Sequence, residues 1–203
     1  MPYPPTMTAD RAPEFRFGGR LSLDLTWTLR YRAVWPTELL ASPDDLSAWL
    51  DAVGLPAPTR PAGLDLADVR ALRESIYRSA SALIDGHAIA PDDRDTINHW
   101  AAHPPPSPAL HTDGTRRLVA PENRELPAAL SAIARDVINL LTVHDDRLRR
   151  CEGPSCSLLF HDSSRPGTRR WCSTTRCGNK VNTKAYRTRR STPIGESIEQ
   201  PRL

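Results

Sequence analysis

The sequence predicts an α+β fold in two parts, a mostly helical N-terminal domain with a small sheet followed by a compact module built around four cysteines. Three observations predict it. Apolar residues recur at helical spacing over much of the first 146 residues, one early stretch alternates as a strand does, and every cysteine lies within residues 151–177. The predicted organisation is a loose N-terminus at 1–14, an N-terminal domain at 15–146, a cysteine module at 147–190 and a loose tail at 191–203.

The first predicted element is a strand at residues 21–29, with the sequence LSLDLTWTL. Its leucines and Trp27 fall on one face, and Ser, Asp and Thr fall on the other. Strict alternation of this kind is typical of a half-buried strand. Gly18 and Gly19 predict a turn or bulge just before it.

Two helices are predicted next. The first has Ser42 as its N-cap and Pro43 at its first position, and it ends at Gly54. The second lies between Asp65, which can cap it, and Gly86, which can end it. One apolar stripe runs along this second helix: Leu66, Val69, Leu72, Ile76, Ala80 and Leu83.

A shorter helix and a hairpin follow. The helix spans residues 91–103 and is ended by the three prolines at 104–106. The hairpin spans 110–120 and turns at Asp113-Gly114, a pair that tight β-turns favour.

The longest predicted helix begins near Leu126 and carries the apolar residues Leu130, Ile133, Val137, Leu140, Leu141 and Leu148 at helical spacing. No Gly or Pro interrupts it between Pro127 and Cys151. We therefore expect this helix to run straight into the cysteine module as a semi-rigid strut.

Charge is divided unevenly along the chain. Residues 147–190 hold twelve Arg or Lys and two acidic residues, a net charge of +10, while the rest holds fifteen basic and twenty-two acidic residues, a net charge of −7. A basic segment of this kind favours a polyanionic partner. No stretch has the apolar length of a membrane span or of a signal peptide, so we expect a cytoplasmic protein without a membrane partner. A reducing compartment disfavours disulfides.

The cysteines follow the pattern C-x4-C, fifteen residues, C-x4-C. Two close pairs at this separation predict one tetrahedral zinc ion per chain, bound by Cys151, Cys156, Cys172 and Cys177. An iron–sulfur cluster would also accept four thiolates, but the ferredoxin spacings are absent. A redox C-x-x-C motif is absent as well.

The residues around the ligands predict a treble-clef-like arrangement. Gly153-Pro154 allows a tight turn within the first pair. Between the pairs, SLLFHD and TRRWC are strand-like, with a turn at Arg165-Pro166-Gly167. A helix is expected to start at the last ligand.

On a helical wheel, this last helix turns Cys177, Val181, Ala185 and Thr188 toward the metal. Its other face and the preceding hairpin carry the predicted contacts to double-stranded DNA: Arg169, Arg170, Asn179, Lys180, Thr183, Lys184, Tyr186, Arg187 and Arg190. The alternative is a protein-interaction adaptor that docks on an acidic surface, such as RNA polymerase or another transcription protein. Specific DNA binding by one short module would also call for a homodimer or a partner.

Other candidate residues carry weaker patterns. The tryptophans of the N-terminal part are expected in the core, and the alternative is a small-molecule effector pocket at Trp27, Arg30, Tyr31 and Trp49. His99 and His103 lie four apart without a third ligand, and His144 falls on the apolar stripe of the long helix. A nuclease using His161 is the disfavoured enzymatic alternative, because no helical histidine accompanies it. We predict no catalytic residues and no enzyme, since phosphate loops and nucleophile motifs are absent from the sequence.

The stretch CEGPSCSLLFHDSSRPGTRRWCSTTRCGNK resembles the CGNR zinc finger over residues 147–190. Both cysteine pairs and the motifs LLF-x-D-x-S, R-R-W-C and C-G-N are in place, with Lys180 where the family has Arg. FGGRLSLDL resembles the opening of the domain that accompanies this finger, a putative stress-induced transcription regulator (ABATE) domain. The resemblance implies a bacterial, zinc-dependent, DNA-binding transcription regulator. Lys180 keeps the charge but loses the planar fork of Arg, which favours phosphate contact over base reading.

Overall fold

A computed structural model describes residues 14–58, 63–143 and 145–179. Its helices are α1 (Leu21–Thr26), α2 (Pro43–Ala52), α3 (Gly63–Ile84), α4 (Pro91–Ala101) and α5 (Glu125–Leu141), and a π-helical turn spans Thr174–Gly178. Its strands are β1 (Leu29–Arg30), β2 (Thr37–Glu38), β3 (Ser107–Leu110), β4 (Arg116–Val119), β5 (Leu148–Arg150) and β6 (Leu159–His161). The predicted terminal segments at 1–13 and 191–203, the packing of His144 and the helix after residue 179 lie outside the described residues.

The strands form three separate antiparallel pairs, β1 with β2, β3 with β4 and β5 with β6. The helices surround one apolar core, in which α3 packs against α1, α4 and α5. Leu72, Ile76, Leu130 and Ile133 are fully buried there. The predicted α+β class, mostly helical with small sheets, is confirmed. Within the described ranges, no helix combines the length and the apolar character that crossing a bilayer requires.

The predicted ends of α2 and the predicted stop of α3 are confirmed, but α3 begins at Gly63, so Asp65 lies in its first turn and is not its cap. The Ser42 hydroxyl accepts the backbone N–H of Asp45 at 3.2 Å, and the Asp45 carboxylate accepts the backbone N–H of Ser42 at 2.8 Å. Gly54 and Gly86 adopt φ of +70° and +74° just after the two helices. Glycine takes this left-handed conformation without a steric penalty, which explains why both helices stop there.

The predicted strand at 21–29 is wrong, because most of this stretch forms α1. Its polar residues are as buried as its leucines: Ser22 and Thr26 are 0% and 1% exposed. The hydroxyl of Ser22 donates to Asp136 of α5 at 2.5 Å, and that of Thr26 donates to the Leu23 carbonyl at 2.7 Å. The alternation therefore does not separate a solvent-exposed face from a buried one, because groups inside the protein satisfy the hydrogen bonds of the polar side chains.

The predicted strut is also wrong, because α5 ends at Leu141. The Thr142 hydroxyl donates to the Ile138 carbonyl at 2.9 Å, and Asp146 has φ of +54°, which no α-helix accommodates. Leu148 continues the apolar spacing, but it belongs to β5 and pairs with His161 of β6. The backbone hydrogen bonds that a longer helix would have formed are replaced there by those of a strand pair.

The cysteine module is fastened to the N-terminal domain through α1 and α3. The Trp27 indole donates to the Leu159 carbonyl at 2.6 Å. The Tyr77 hydroxyl donates to the Ser157 carbonyl at 3.0 Å, and the Ser157 hydroxyl accepts the backbone N–H of Arg32 at 3.0 Å. These bonds place the strand after the first cysteine pair directly on the helical core.

Candidate metal centre

The first two cysteines lie on a turn between β5 and β6. Cys151 follows β5, and its backbone N–H donates to the Leu158 carbonyl at 2.9 Å. The Cys156 N–H donates to the Gly153 carbonyl at 2.9 Å and closes the turn. A Cβ at Gly153 would lie only 3.0 Å from the Cys177 sulfur, so glycine lets the turn approach the second pair.

The strand pairing of the module differs from the prediction. SLLFHD contributes β6, but its partner is β5, which precedes the first cysteine, and TRRWC forms no strand. One backbone hydrogen bond joins the first cysteine turn to TRRWC, from the Glu152 N–H to the Arg170 carbonyl at 2.9 Å. The predicted turn at Gly167 is confirmed, with φ of +62° and its N–H bonded to the Ser164 carbonyl.

Asp162 organises the loop that returns the chain to the second pair. Its carboxylate accepts the backbone N–H of Ser164 at 2.9 Å and that of Arg169 at 2.7 Å. Burial alone would raise the pKa of this carboxyl, but these hydrogen bonds dominate and hold it at about 2. From sequence alone, Asp162 is recognised only as part of the motif LLF-x-D-x-S and is assigned no role, although an aspartate often accepts the backbone N–H two residues later in a turn.

Cys177 is presented by the π-helical turn. Its backbone N–H donates to the Ser173 carbonyl at 3.0 Å. Gly178 is buried against the Trp171 ring, and a Cβ added at Gly178 would lie 3.3 Å from that ring. Asn179 continues the turn in a right-handed helical conformation. The predicted treble-clef-like arrangement requires a longer helix, which would lie beyond residue 179.

The four sulfur atoms come together as predicted. Those of Cys151, Cys156, Cys172 and Cys177 all lie within 4.8 Å of one another. The Cys156–Cys172 and Cys172–Cys177 sulfurs are each 3.8 Å apart. A tetrahedron with zinc–sulfur bonds of ~2.3 Å has sulfur–sulfur edges of about 3.8 Å. A disulfide bond would need about 2.05 Å, so this is a metal site for one ion, and its four-thiolate set suits zinc.

The thiols share their protons unevenly when no cation neutralises them. Hydrogen bonds from Cys156 and Cys172 lower the pKa of Cys151. The bond to that thiolate raises the pKa of Cys156, and it raises the pKa of Cys172 as well. Burial raises the pKa of Cys177. The pocket thus holds one thiolate readily and a second only with a compensating charge, which a divalent metal supplies.

Two residues predicted to contact DNA hydrogen-bond to other residues of the chain. Arg169 donates to the Cys172 carbonyl at 2.9 Å and lies over the Phe160 ring. Arg170 donates to the Glu152 carboxylate at 2.7 Å. Asn179 is at the end of the π-helical turn. The other predicted contacts lie outside the described residues: Lys180, Thr183, Lys184, Tyr186, Arg187 and Arg190.

The two tryptophans predicted to line an effector pocket lie in different apolar clusters. Trp49 is fully buried in the helical core, whereas Trp27 packs in the cluster around Cys151. Arg30 is directed to the Glu14 carbonyl, at 2.5 Å, and Tyr31 has φ of +53°.

The described histidines do not gather the three ligands that a second metal site would need. The His99 and His103 rings lie 5.4 Å apart, and His161 contacts the Asp145 carboxylate at 3.1 Å. Among the described residues, the four cysteines form the one cluster of three or more candidate metal ligands.

Trp27 and Tyr77 hold the module through hydrogen bonds that no sequence signal predicts, since their partners lie 132 and 80 residues away.

Two family models match the chain, and the boundary between them lies where the basic segment begins. A family model described as ABATE, "putative stress-induced transcription regulator", matches residues 19–144. A second, described as the CGNR zinc finger, matches residues 147–190. No curated protein matches the chain.

Proposed function

The chain belongs to the ABATE family of "putative stress-induced transcription regulators" and carries a CGNR zinc finger, and on that premise we propose that it is a zinc-dependent DNA-binding transcription regulator. Zinc fixes the C-terminal module, the segment after the last ligand binds duplex DNA, and the N-terminal domain senses a small molecule or contacts a transcription protein. We place this activity with the genome in a bacterial cytoplasm. The net charge of +10 on residues 147–190, beside the four-cysteine site, carries the proposal.

The internal contacts of the module sort its arginines into two groups. Six hydrogen-bond to other residues: Arg147, Arg149, Arg150, Arg169, Arg170 and Arg176. No side-chain partner is found for Arg165 within the described parts of the chain. Five basic residues follow the last ligand: Lys180, Lys184, Arg187, Arg189 and Arg190. We therefore assign phosphate contact to this C-terminal basic segment, 179–190, and to Arg165.

Zinc couples to DNA binding because Cys177 lies two residues before the basic segment. The cation fixes the π-helical turn from which Asn179 and Lys180 follow. Without zinc, the Cys151 thiolate and burial disfavour a second thiolate, so the turn loses its metal anchor. Loss of the metal should therefore abolish DNA binding even though every basic residue is still present.

The test is fluorescence anisotropy of the zinc-loaded protein with labelled genomic duplex fragments, titrated in salt. Binding should weaken steeply with salt, and Cys172→Ser should lose it. Lys184→Gln should reduce the slope of log K against log salt by about one. The matched variant Arg170→Gln, which breaks an internal ion pair, should leave that slope unchanged. A folded, zinc-loaded protein that binds no duplex at low salt would overturn the proposal.

The rival function is a protein-interaction adaptor that docks on the transcription machinery. One observation favours it, since the described arginines of the module are mostly paired internally and form no open row for phosphates. It predicts that the protein binds an acidic partner such as RNA polymerase and shows no salt-sensitive affinity for duplex DNA. The anisotropy titration separates the two functions.

A further inference from the structure

A cavity of about 530 Å³ lies at the seam between the helical domain and the cysteine module. The C-terminal ends of α3 and α5 supply one side, through Leu83, Ile84 and Leu140. The other side comes from the module, through Arg149 of β5 and Arg169. We call it the seam cavity. Its volume is in the range of small-molecule sites, which occur preferentially where two structural units meet.

The helical side of the seam cavity leaves apolar surface uncovered. Leu83, near the end of α3, is 37% exposed, and Val143, just after α5, is 57% exposed. Both line the cavity beside Leu140, which belongs to the buried core. An apolar group entering the cavity would extend the core and remove these side chains from water.

The module side of the seam cavity presents guanidinium groups without a carboxylate partner. Arg149 donates from Nη2 to the Gly167 carbonyl at 2.9 Å, while its buried Nε has no hydrogen-bond partner. Within the described ranges, neither Arg149 nor Arg169 forms an ion pair. Their positive charge at a partly enclosed site favours an anion.

The acidic residues around the seam cavity do not cancel this preference. Glu152 pairs with Arg170, while Asp145 is exposed to water and its carboxylate hydrogen-bonds to His161 and to the backbone N–H of Arg147. Asp146 is exposed, where water screens its charge. Among the cavity's cations, Arg150 is held by Asp85 in a two-pronged pair at 2.9–3.0 Å.

We propose that the seam cavity binds a small molecule with an apolar body and one anionic group, carboxylate, sulfonate or phosphate. The apolar body lies against Leu83 and Val143, and the anion lies toward Arg149. This inference rests on the sensing part of the proposed function and not on DNA binding. The seam cavity is distinct from the pocket predicted at the tryptophans, and none of the predicted residues Trp27, Arg30, Tyr31 and Trp49 lines it.

The position of the cavity connects it to the metal centre. Arg149 lies on β5, two residues before Cys151, and Arg169 donates to the carbonyl of Cys172. A ligand in the cavity would thus contact the supports of two of the four zinc ligands. Occupancy can change how firmly the module is held without any contact to the metal itself.

The test uses 8-anilinonaphthalene-1-sulfonate, an aromatic probe with one sulfonate, on the zinc-loaded full chain without DNA. N-phenyl-1-naphthylamine is the matched neutral probe, because it lacks only the sulfonate. We expect one sulfonate probe per chain, bound about tenfold or more tightly than the neutral probe. Val143→Asp should weaken sulfonate binding at least about tenfold, since it removes apolar contact and adds a like charge.

Val119→Asp is the control for this substitution, because Val119 is 46% exposed on β4 and does not line the cavity. Circular dichroism and zinc content must match the unchanged protein for both variants. Equal binding of the two probes, or equal losses in Val143→Asp and Val119→Asp, would overturn the proposal. The DNA titration is independent, so a failed cavity and a failed DNA-binding function give different results.

Discussion

Trp27 forms the contact on which the attachment of the zinc module depends most directly. It is 6% exposed, it donates to the Leu159 carbonyl at 2.6 Å, and it packs with Cys151 and Phe160. Trp27→Phe keeps an aromatic ring but removes the indole N–H. Leu159 is fully buried, so its carbonyl then loses its partner in a place that water does not readily reach.

The cost follows from these two losses. A buried carbonyl left without a donor costs ~1–3 kcal/mol, and the smaller ring leaves a void that adds about 1 kcal/mol. The free energy of unfolding should therefore fall by about 2–4 kcal/mol. For a chain of this size, that corresponds to a melting temperature lower by roughly 5–15 °C.

The measurement is thermal unfolding by circular dichroism at saturating zinc. Trp35→Phe is the matched control, because Trp35 is 52% exposed and its ring forms no recorded hydrogen bond within the described residues. It should change the free energy of unfolding by less than about 0.5 kcal/mol. If both variants melt within 2 °C or so of each other, the hydrogen bond to Leu159 does not hold the module and the reasoning is refuted.

Two further predictions concern a glycine and a carboxyl. Gly153→Ala should lower zinc affinity about tenfold or more in a chelator competition, because the new Cβ would lie 3.0 Å from the Cys177 sulfur; Gly178→Ala, facing a ring at 3.3 Å, should lower it less. Burial raises the pKa of Asp24 from 3.8 to about 6, so the folded protein binds the proton more tightly than the unfolded chain and loses stability as pH rises between these values. Between pH 4 and pH 7, the free energy of unfolding of Asp24→Asn, measured with urea, should rise by about 2–3 kcal/mol relative to that of the unchanged protein. A difference that does not depend on pH would contradict this cause.

The metal centre could be predicted from sequence because its information is local. Ligand spacing is a covalent property, and Cys151 and Cys156 must lie near each other whatever fold surrounds them. The same holds for the cap at Ser42 and the stop at Gly54, which depend on a few neighbouring residues.

The segments that were predicted wrongly depend on distant partners. The alternation at residues 21–29 is genuine, but Asp136 of α5 satisfies Ser22 and makes a buried helix possible. The strut failed because Leu148 fits a helical stripe and a strand equally well, and pairing with His161 decides between them. No periodicity within a segment encodes a partner 13 or 114 residues away.

The zinc module and the helical domain are physically interdependent. The apolar cluster beside the zinc ligands is small, with Cys151, Leu158 and Phe160 as its buried members from the module, and Trp27, which follows α1, completes it. A segment of about 44 residues buries too little apolar surface to hold its shape, so it needs both the metal and this foreign side chain. Tyr77 adds a bond to Ser157, the neighbour of the ligand Cys156. The helical domain is therefore part of the metal site's support, and any change in its packing near α1 or α3 reaches the zinc ligands through one or two contacts.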